Sequence, residues 1–182
     1  MKGWILMKHT VLLVVDVQNL MIEDKPYNIT SVISNIRKLL SAARAGHTEV
    51  IYIRHDDGAG SDLEAGTKGW EIYNEIAPEP GERIIDKNYN SAFRSTGLKD
   101  YLEGKSVKTI ILTGLQTDYC IDATCKSAFE FGYNVIIPEE TNSTYDNEYL
   151  PAQQLYQYYN FKMWNNRYAR ILSLEEVLKL LQ

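Results

Sequence analysis

The hydrophobic pattern of this chain switches repeatedly between two periods. Residues 11–15 form an unbroken aliphatic run that stops at Asp16, and a run of that length predicts a central strand buried on both faces. Apolar positions then recur at helical spacing, with Val32, Ile33, Ile36, Leu39, Leu40 and Ala43 on one face, Thr30 or Ser31 as N-cap and Gly46 as the stop. Residues 49–53 read as a second strand. The long segment 54–81 that follows is rich in Gly, Asp and Glu yet holds Trp70, Ile72 and Tyr73; a connection of that length is functional or carries a short helix. A brief strand at 83–85 ends near Lys87, followed by a short helix at 98–102 and a fourth strand at 107–112. Helix 119–131, strand 133–137, helix 147–161, strand 169–172 and a terminal helix at 174–181 complete the alternation.

Strands alternating with helices predict an α/β chain: a six-stranded, parallel, doubly wound sheet of order 3-2-1-4-5-6 in a three-layer αβα sandwich with right-handed crossovers. No repeat, low-complexity segment or linker divides the chain, so residues 1–182 are read as one domain. In such sheets ligands bind beyond the carboxyl ends of the strands.

Composition narrows the chemistry. With 182 residues and 45% hydrophobic side chains the chain can build a proper core. A net charge of -5 without a basic run argues against nucleic acid or an anionic membrane as partner and for a small-molecule substrate. The apolar stretch within residues 1–7 is too short for a signal peptide or a membrane span. The two cysteines, Cys120 and Cys125, are badly placed to bridge each other and form no C-x-x-C pair, which points to a reducing cytoplasm. Gly58 and Gly60 lack the third glycine of a dinucleotide fingerprint, and there is no P-loop, so no cofactor is expected.

The segment T-G-L-Q-T-D-Y-C, residues 113–120, carries a cysteine from the fourth strand onto a predicted helix start. A helix N-terminus favours a thiolate. Cys125, deeper in the same helix beside Ala128 and Phe129, reads instead as a small buried hydrophobe. In a doubly wound sheet the ends of the first, third and fourth strands open onto one edge, which would bring Asp16, Lys87 and Cys120 together. Singly, each has a plain explanation: a loop-capping Asp, a solvated Lys, a core Cys. Together they supply a base, a cation and a nucleophile, a complete set for acyl transfer, with Lys87 expected to raise the thiolate fraction near neutral pH.

These residues resemble a known family, the isochorismatase-like cysteine hydrolases, which include nicotinamidases and other amidases. The resemblance rests on L-L-V-V-D-V-Q at 12–18, D-K-N-Y-N-S-A-F at 86–93, T-G-L-Q-T-D-Y-C at 113–120 and G-Y-N-V-I-I-P-E-E-T at 132–141. It implies that Asp16, Lys87 and Cys120 are the catalytic triad, that a cis peptide joins Leu115 to Gln116, and that the N–H groups of Gln116 and Cys120 form an oxyanion hole. The implied reaction is hydrolysis of a small amide through a thioester. Members that cleave the isochorismate vinyl ether lack the cysteine, so Cys120 argues against that chemistry.

The chain departs from nicotinamidases after the second strand, where those enzymes carry an Asp-x-His and a further His as metal ligands. Here R-H-D-D-G-A-G-S-D-L offers only His55; His9 and His47 lie elsewhere. No metal is expected, although His55 with Asp56, Asp57 or Asp62 could hold a cation. Candidate substrate contacts are Gln18, His55, Asp57, Trp70, Phe93 and Tyr119, with ordinary packing an equal explanation for Trp70 and Phe93. Tyr156, Tyr158, Tyr159 and Trp164 suggest core or a subunit interface, and the family resemblance implies a homo-oligomer, dimer or larger. Two rivals remain: a nicotinamidase or pyrazinamidase with a divergent metal site, and a non-catalytic binding protein in which Cys120 senses redox state.

Overall fold

The structure is a computed structural model and describes residues 9–182; the segment 1–7, read above as too short for a leader, lies outside the described residues. Strands β1 (Thr10–Val15), β2 (Glu49–His55), β3 (Arg83–Lys87), β4 (Thr109–Leu115), β5 (Asn134–Pro138) and β7 (Arg170–Leu172) lie in the order β3-β2-β1-β4-β5-β7, every pairing parallel. This is the predicted doubly wound order. A two-residue strand that the pattern did not mark, β6 (Asn142–Ser143), pairs with the end of β4 at Gly114 and Leu115.

The aliphatic runs behave as their period demands. Alternate residues of β1 face opposite layers. Val11, Leu13 and Val15 pack with Leu98 and Leu102 of α3 (Leu98–Gly104) and with Cys125 and Ala128 of α4 (Asp122–Glu130). Leu12 and Val14 instead meet Ile36, Leu39 and Leu40 of α2 (Ile29–Ala45) and Val177 of α6 (Leu174–Leu180). Gly46, after α2, serves by its size, because a Cβ there would lie 2.0 Å from the Leu181 carbonyl oxygen.

Local chemistry shifts several predicted boundaries. Helix α2 starts at Ile29 behind Asn28, which holds a left-handed backbone, so neither Thr30 nor Ser31 is the N-cap. A short helix, α1 (Asn19–Glu23), follows β1 where none was expected. The long segment carries a single 3₁₀ turn, Asn74–Ile76. The predicted helix 147–161 is broken into α5 (Ala152–Gln157) and a π-helical stretch, Tyr158–Trp164, which carries Trp164 into the core with its Nε1 donating to Asp122 at 2.8 Å. Likewise the predicted helix 119–131 opens with a π-helical turn, Thr117–Ile121, ahead of α4. No helix among the described residues is long and apolar enough to cross a membrane.

Candidate active site

Strands β1, β2, β3 and β4 all end on one edge of the sheet, and each delivers a polar group there. β1 stops at Asp16, whose backbone is left-handed (φ 52°) and whose N–H donates to the Ile53 carbonyl at 2.9 Å. β2 and β3 run two residues further than predicted and place His55 opposite Lys87 in the ladder. β4 passes through Gly114 (φ +124°), where a Cβ would stand 2.0 Å from the Val15 carbonyl oxygen. Only glycine allows this approach of β4 to β1. The Leu115–Gln116 peptide is cis, and the chain then enters the π-turn that bears Cys120.

The turn is held by buried polar contacts. Thr117 Oγ1 donates to Asn142 Oδ1 (2.7 Å), and Asn142 Nδ2 donates to Asn160 Oδ1 (2.9 Å). Asn160 Nδ2 in turn donates to the Tyr156 carbonyl (2.9 Å), so strand β6 ties the π-turn to the α5 region. The S-A-F segment is docked from the other side, with Ala92 N–H donating to Thr124 Oγ1 (3.0 Å) and Ser91 Oγ to Ser127 Oγ (2.9 Å).

Lys87 is the centre of the arrangement. Its side chain is fully buried, and its Nζ lies 2.7 Å from Asp16 Oδ2, 2.9 Å from His55 Nδ1 and 3.3 Å from Cys120 Sγ. Beyond the ion pair at that distance, neither carboxylate oxygen of Asp16 has a well-aligned hydrogen bond, although both are buried. Asp16, His55 and Cys120 present ligand-type atoms within 4.8 Å of one another. That set does not fit a divalent metal, because the Lys87 ammonium already sits among the three donors; a second cation would have to displace it from a buried site.

Burial raises the Asp16 carboxyl above the usual range, opposed by Lys87. It also raises the Cys120 thiol, helped by the Asp16 carboxylate and opposed by Lys87. Lys87 thus acts on the thiol in the expected direction, but burial outweighs it. At an effective dielectric of about 20, Lys87 at 3.3 Å attracts a thiolate by about 5 kcal/mol. Asp16, within 4.8 Å, repels it by at least about 3.5 kcal/mol. The two charges largely cancel, so loss of hydration decides the sign. Cys120 does lie in the first turn of the helical segment, in the π-turn that runs directly into α4, yet burial still outweighs that favourable position.

A cavity of about 220 Å³ opens over the sulfur. Asp16 and Cys120 lie on its wall with His55, Asp57, Gln116 and Tyr119, and so do three residues that sequence reasoning passed over, Met21, Leu63 and Asn90. Asn90 was visible in D-K-N-Y-N-S-A-F; its Oδ1 stands 3.9 Å from Cys120 Sγ. Met21 and Leu63 carried no signal, since a lone apolar residue in a loop or a short helix does not announce what it faces. A larger depression of about 490 Å³ lies at the opposite edge, lined by Thr109, Tyr133 and Asn134 among others, and carries no cysteine, histidine or carboxylate. Of these two, the smaller cavity is the one lined by a cysteine, a histidine and carboxylates.

Three predicted substrate contacts are not brought to this cavity. Gln18 is completely buried, and its amide is spent on backbone, donating to the His55 and Trp70 carbonyls (both 2.9 Å) and accepting from His55 N–H (2.8 Å). Trp70 lies under the Arg54 guanidinium, 3.2 Å from the ring centroid. Phe93 is buried against Phe131 and Tyr133.

The chain is similar to known proteins. The chain is 31% identical over 143 residues to streptothricin hydrolase of Streptomyces noursei, matching 78% of this chain and 51% of that one, so it spans about half the length of that relative. It is 23% identical over 193 aligned positions to ureidoacrylate amidohydrolase RutB of Agrobacterium fabrum, covering 85% of each. A crystal structure titled cysteine hydrolase, from Pseudomonas syringae pv. phaseolicola 1448A, superposes with a TM-score of 0.89 at 26% identity over 96% of this chain and 92% of the other. Residues 10–176 match the Isochorismatase domain, and the chain therefore belongs to the isochorismatase family.

Proposed function

We propose that this chain is a cysteine hydrolase that cleaves a non-peptide C–N bond, an amide, of a small molecule through a thioester intermediate. The observation that carries the reading is the convergence of Asp16 and Cys120, both on the cavity wall, on the buried Lys87 ammonium. The resting site holds a carboxylate, an ammonium and a neutral thiol. As the Cys120 proton passes to an Asp16 oxygen, the repulsion between carboxylate and thiolate disappears and the Lys87 attraction remains, so sulfur becomes nucleophilic without a change in net charge. The raised Asp16 carboxyl is a better proton acceptor for this transfer than an ordinary carboxylate. Sulfur adds to the amide carbonyl, the oxyanion takes hydrogen bonds from the backbone N–H groups of Gln116 and Cys120, and Asp16 returns the proton to the departing nitrogen. Water, deprotonated by Asp16, then releases the acid. The names of the hydrolase and amidohydrolase relatives support this bond class.

In this reading His55, Asp57 and Tyr119, with Asn90, Met21 and Leu63, form the substrate wall. The free thiols Cys120 and Cys125 suit the cytoplasm, and exposed Tyr149, Tyr158 and Phe161 offer a surface for a homo-oligomer. The test is ammonia or amine release from a panel of small amides by the intact chain and by Cys120→Ala. Turnover that disappears in Cys120→Ala supports the proposal. Turnover retained in the variant, or no turnover with any amide while Cys120 oxidises reversibly, defeats it, the latter favouring a thiol sensor. Good turnover of nicotinamide that a chelator abolishes would return the metal-dependent rival.

A further inference from the structure

An ammonium has three hydrogens and no lone pair, so each of its contacts must be an acceptor. Lys87 Nζ has three: Asp16 Oδ2, Cys120 Sγ and His55 Nδ1. The third contact fixes the state of the imidazole, because Nδ1 can accept only if the ring proton is on Nε2. That Nε2 lies 2.7 Å from Asp57 Oδ1. Asp57 thus selects the tautomer that His55 needs in order to face a cation with its lone pair, the outer-partner logic by which a carboxylate orients a site imidazole.

The imidazole is itself held in place. Gln18 clamps the His55 peptide from both sides, accepting from its N–H and donating to its carbonyl, and the β2–β3 register sets His55 directly opposite Lys87. With only Asp16 and Cys120 as partners the ammonium could swing toward the stronger one, Asp16. His55 Nδ1 is a third acceptor, and with it engaged at 2.9 Å the ammonium still lies 3.3 Å from sulfur. We propose that His55 and Asp57 form a positioning pair that anchors the Lys87 ammonium between Asp16 and Cys120, with Gln18 as the clamp on His55. This rests on the cysteine-hydrolase reading and changes the role of His55 and Asp57 from substrate wall to support of the triad.

Asn and Gln separate the two ends of the ring. His55→Asn keeps an acceptor near the position of Nδ1 and gives up Asp57, whereas His55→Gln reaches Asp57 and leaves Lys87 without its third partner. Two readouts apply: kcat and KM on the amide found above, and the second-order rate at which iodoacetamide alkylates Cys120, which needs no substrate. Urea midpoints report whether each variant folds. His55→Gln is expected to lower kcat about 10- to 100-fold, the range for losing a partner that orients a group of the site. KM should stay within about 2-fold, the alkylation rate should fall in parallel, and His55→Asn should retain activity within about 5-fold. Asp57→Asn, whose amide can donate to Nε2 and reverse the tautomer, should lower kcat about 10-fold in the native background and have no further effect in His55→Asn. A loss confined to KM would overturn the inference in favour of substrate contact; equal losses in His55→Asn and His55→Gln with lowered urea midpoints would overturn it in favour of a merely structural role. Activity surviving in Cys120→Ala would instead remove the underlying reading, whereas activity lost there but untouched in His55→Gln removes only the positioning pair.

Discussion

Replacing Lys87 by Met keeps most of the side chain's volume and removes its charge from a site where Lys87 and Asp16 are 1% and 2% exposed. Breaking a buried ion pair by deleting one partner costs about 3–5 kcal/mol, because the other charge is stranded. Asp16 can escape that penalty by taking a proton, so the cost should depend on pH. Its carboxyl is already raised by burial, and without Lys87 it rises further. A carboxyl raised above its unfolded value of about 3.9 contributes stability that is fully present below that pH and is lost as pH climbs through the folded value. The gap between native chain and Lys87→Met should therefore be small near pH 4 and widen to about 3–5 kcal/mol by pH 8. Urea titrations at both pH values measure it, followed by tryptophan fluorescence, to which the buried Trp164 contributes. The same variant forfeits the roughly 5 kcal/mol of attraction on a thiolate at 3.3 Å. Water entering the vacated space replaces part of it, leaving a fall of about 100-fold in the alkylation rate of Cys120 and in kcat/KM. A stability gap that is flat in pH would refute the stranded-charge argument, and alkylation within about 3-fold of native would refute the role of Lys87 as the counter-ion of sulfur.

Alkaline pH should weaken the fold. Cys125, Tyr145 and Tyr156 are each pushed up to about 12, in every case chiefly by burial, while in the unfolded chain thiols release their protons near 8.5 and phenols near 10. Stability is thus full below about pH 8.5 and falls as pH rises, the thiol leading; urea midpoints unchanged from pH 7.5 to 10 would contradict this, and Cys125→Ala should flatten the early part of the decline. Gly114→Ala should lower stability by about 3–5 kcal/mol, since its Cβ would meet the Val15 backbone at 2.0 Å in a left-handed conformation. A calorimetric Tm within about 2 °C of native would show that β4 can move away from β1 at little cost.

Much of the scaffold is legible because its signals are local. The aliphatic runs of β1 and β4 and the helical face of α2 can satisfy only one layering each, and that layering is the one found. The breaks came where a tertiary demand overrode periodicity. The helix expected at 147–161 changes to a π-helical stretch that lets Trp164 reach Asp122 and Asn160 reach Asn142. Gln18 looked like a ligand contact because it follows Asp16 at the strand end; in the fold its amide turns inward to satisfy the backbone of His55 and Trp70.

The residue types that gather at the site, the strand ends that carry Asp16 and Lys87, and the turn after β4 that carries Cys120 were determined by the sequence itself, since hydrophobic period and element order suffice to set them on one edge. Tertiary structure alone decided how those groups act on one another. The direction of the Cys120 shift depends on burial and on two opposing charges a few ångströms away, and the link from Asp57 through His55 to Lys87 exists only because β2 and β3 are in register. Chain order specifies neighbours along a strand, but the electrostatic balance between groups falls off with distance through space.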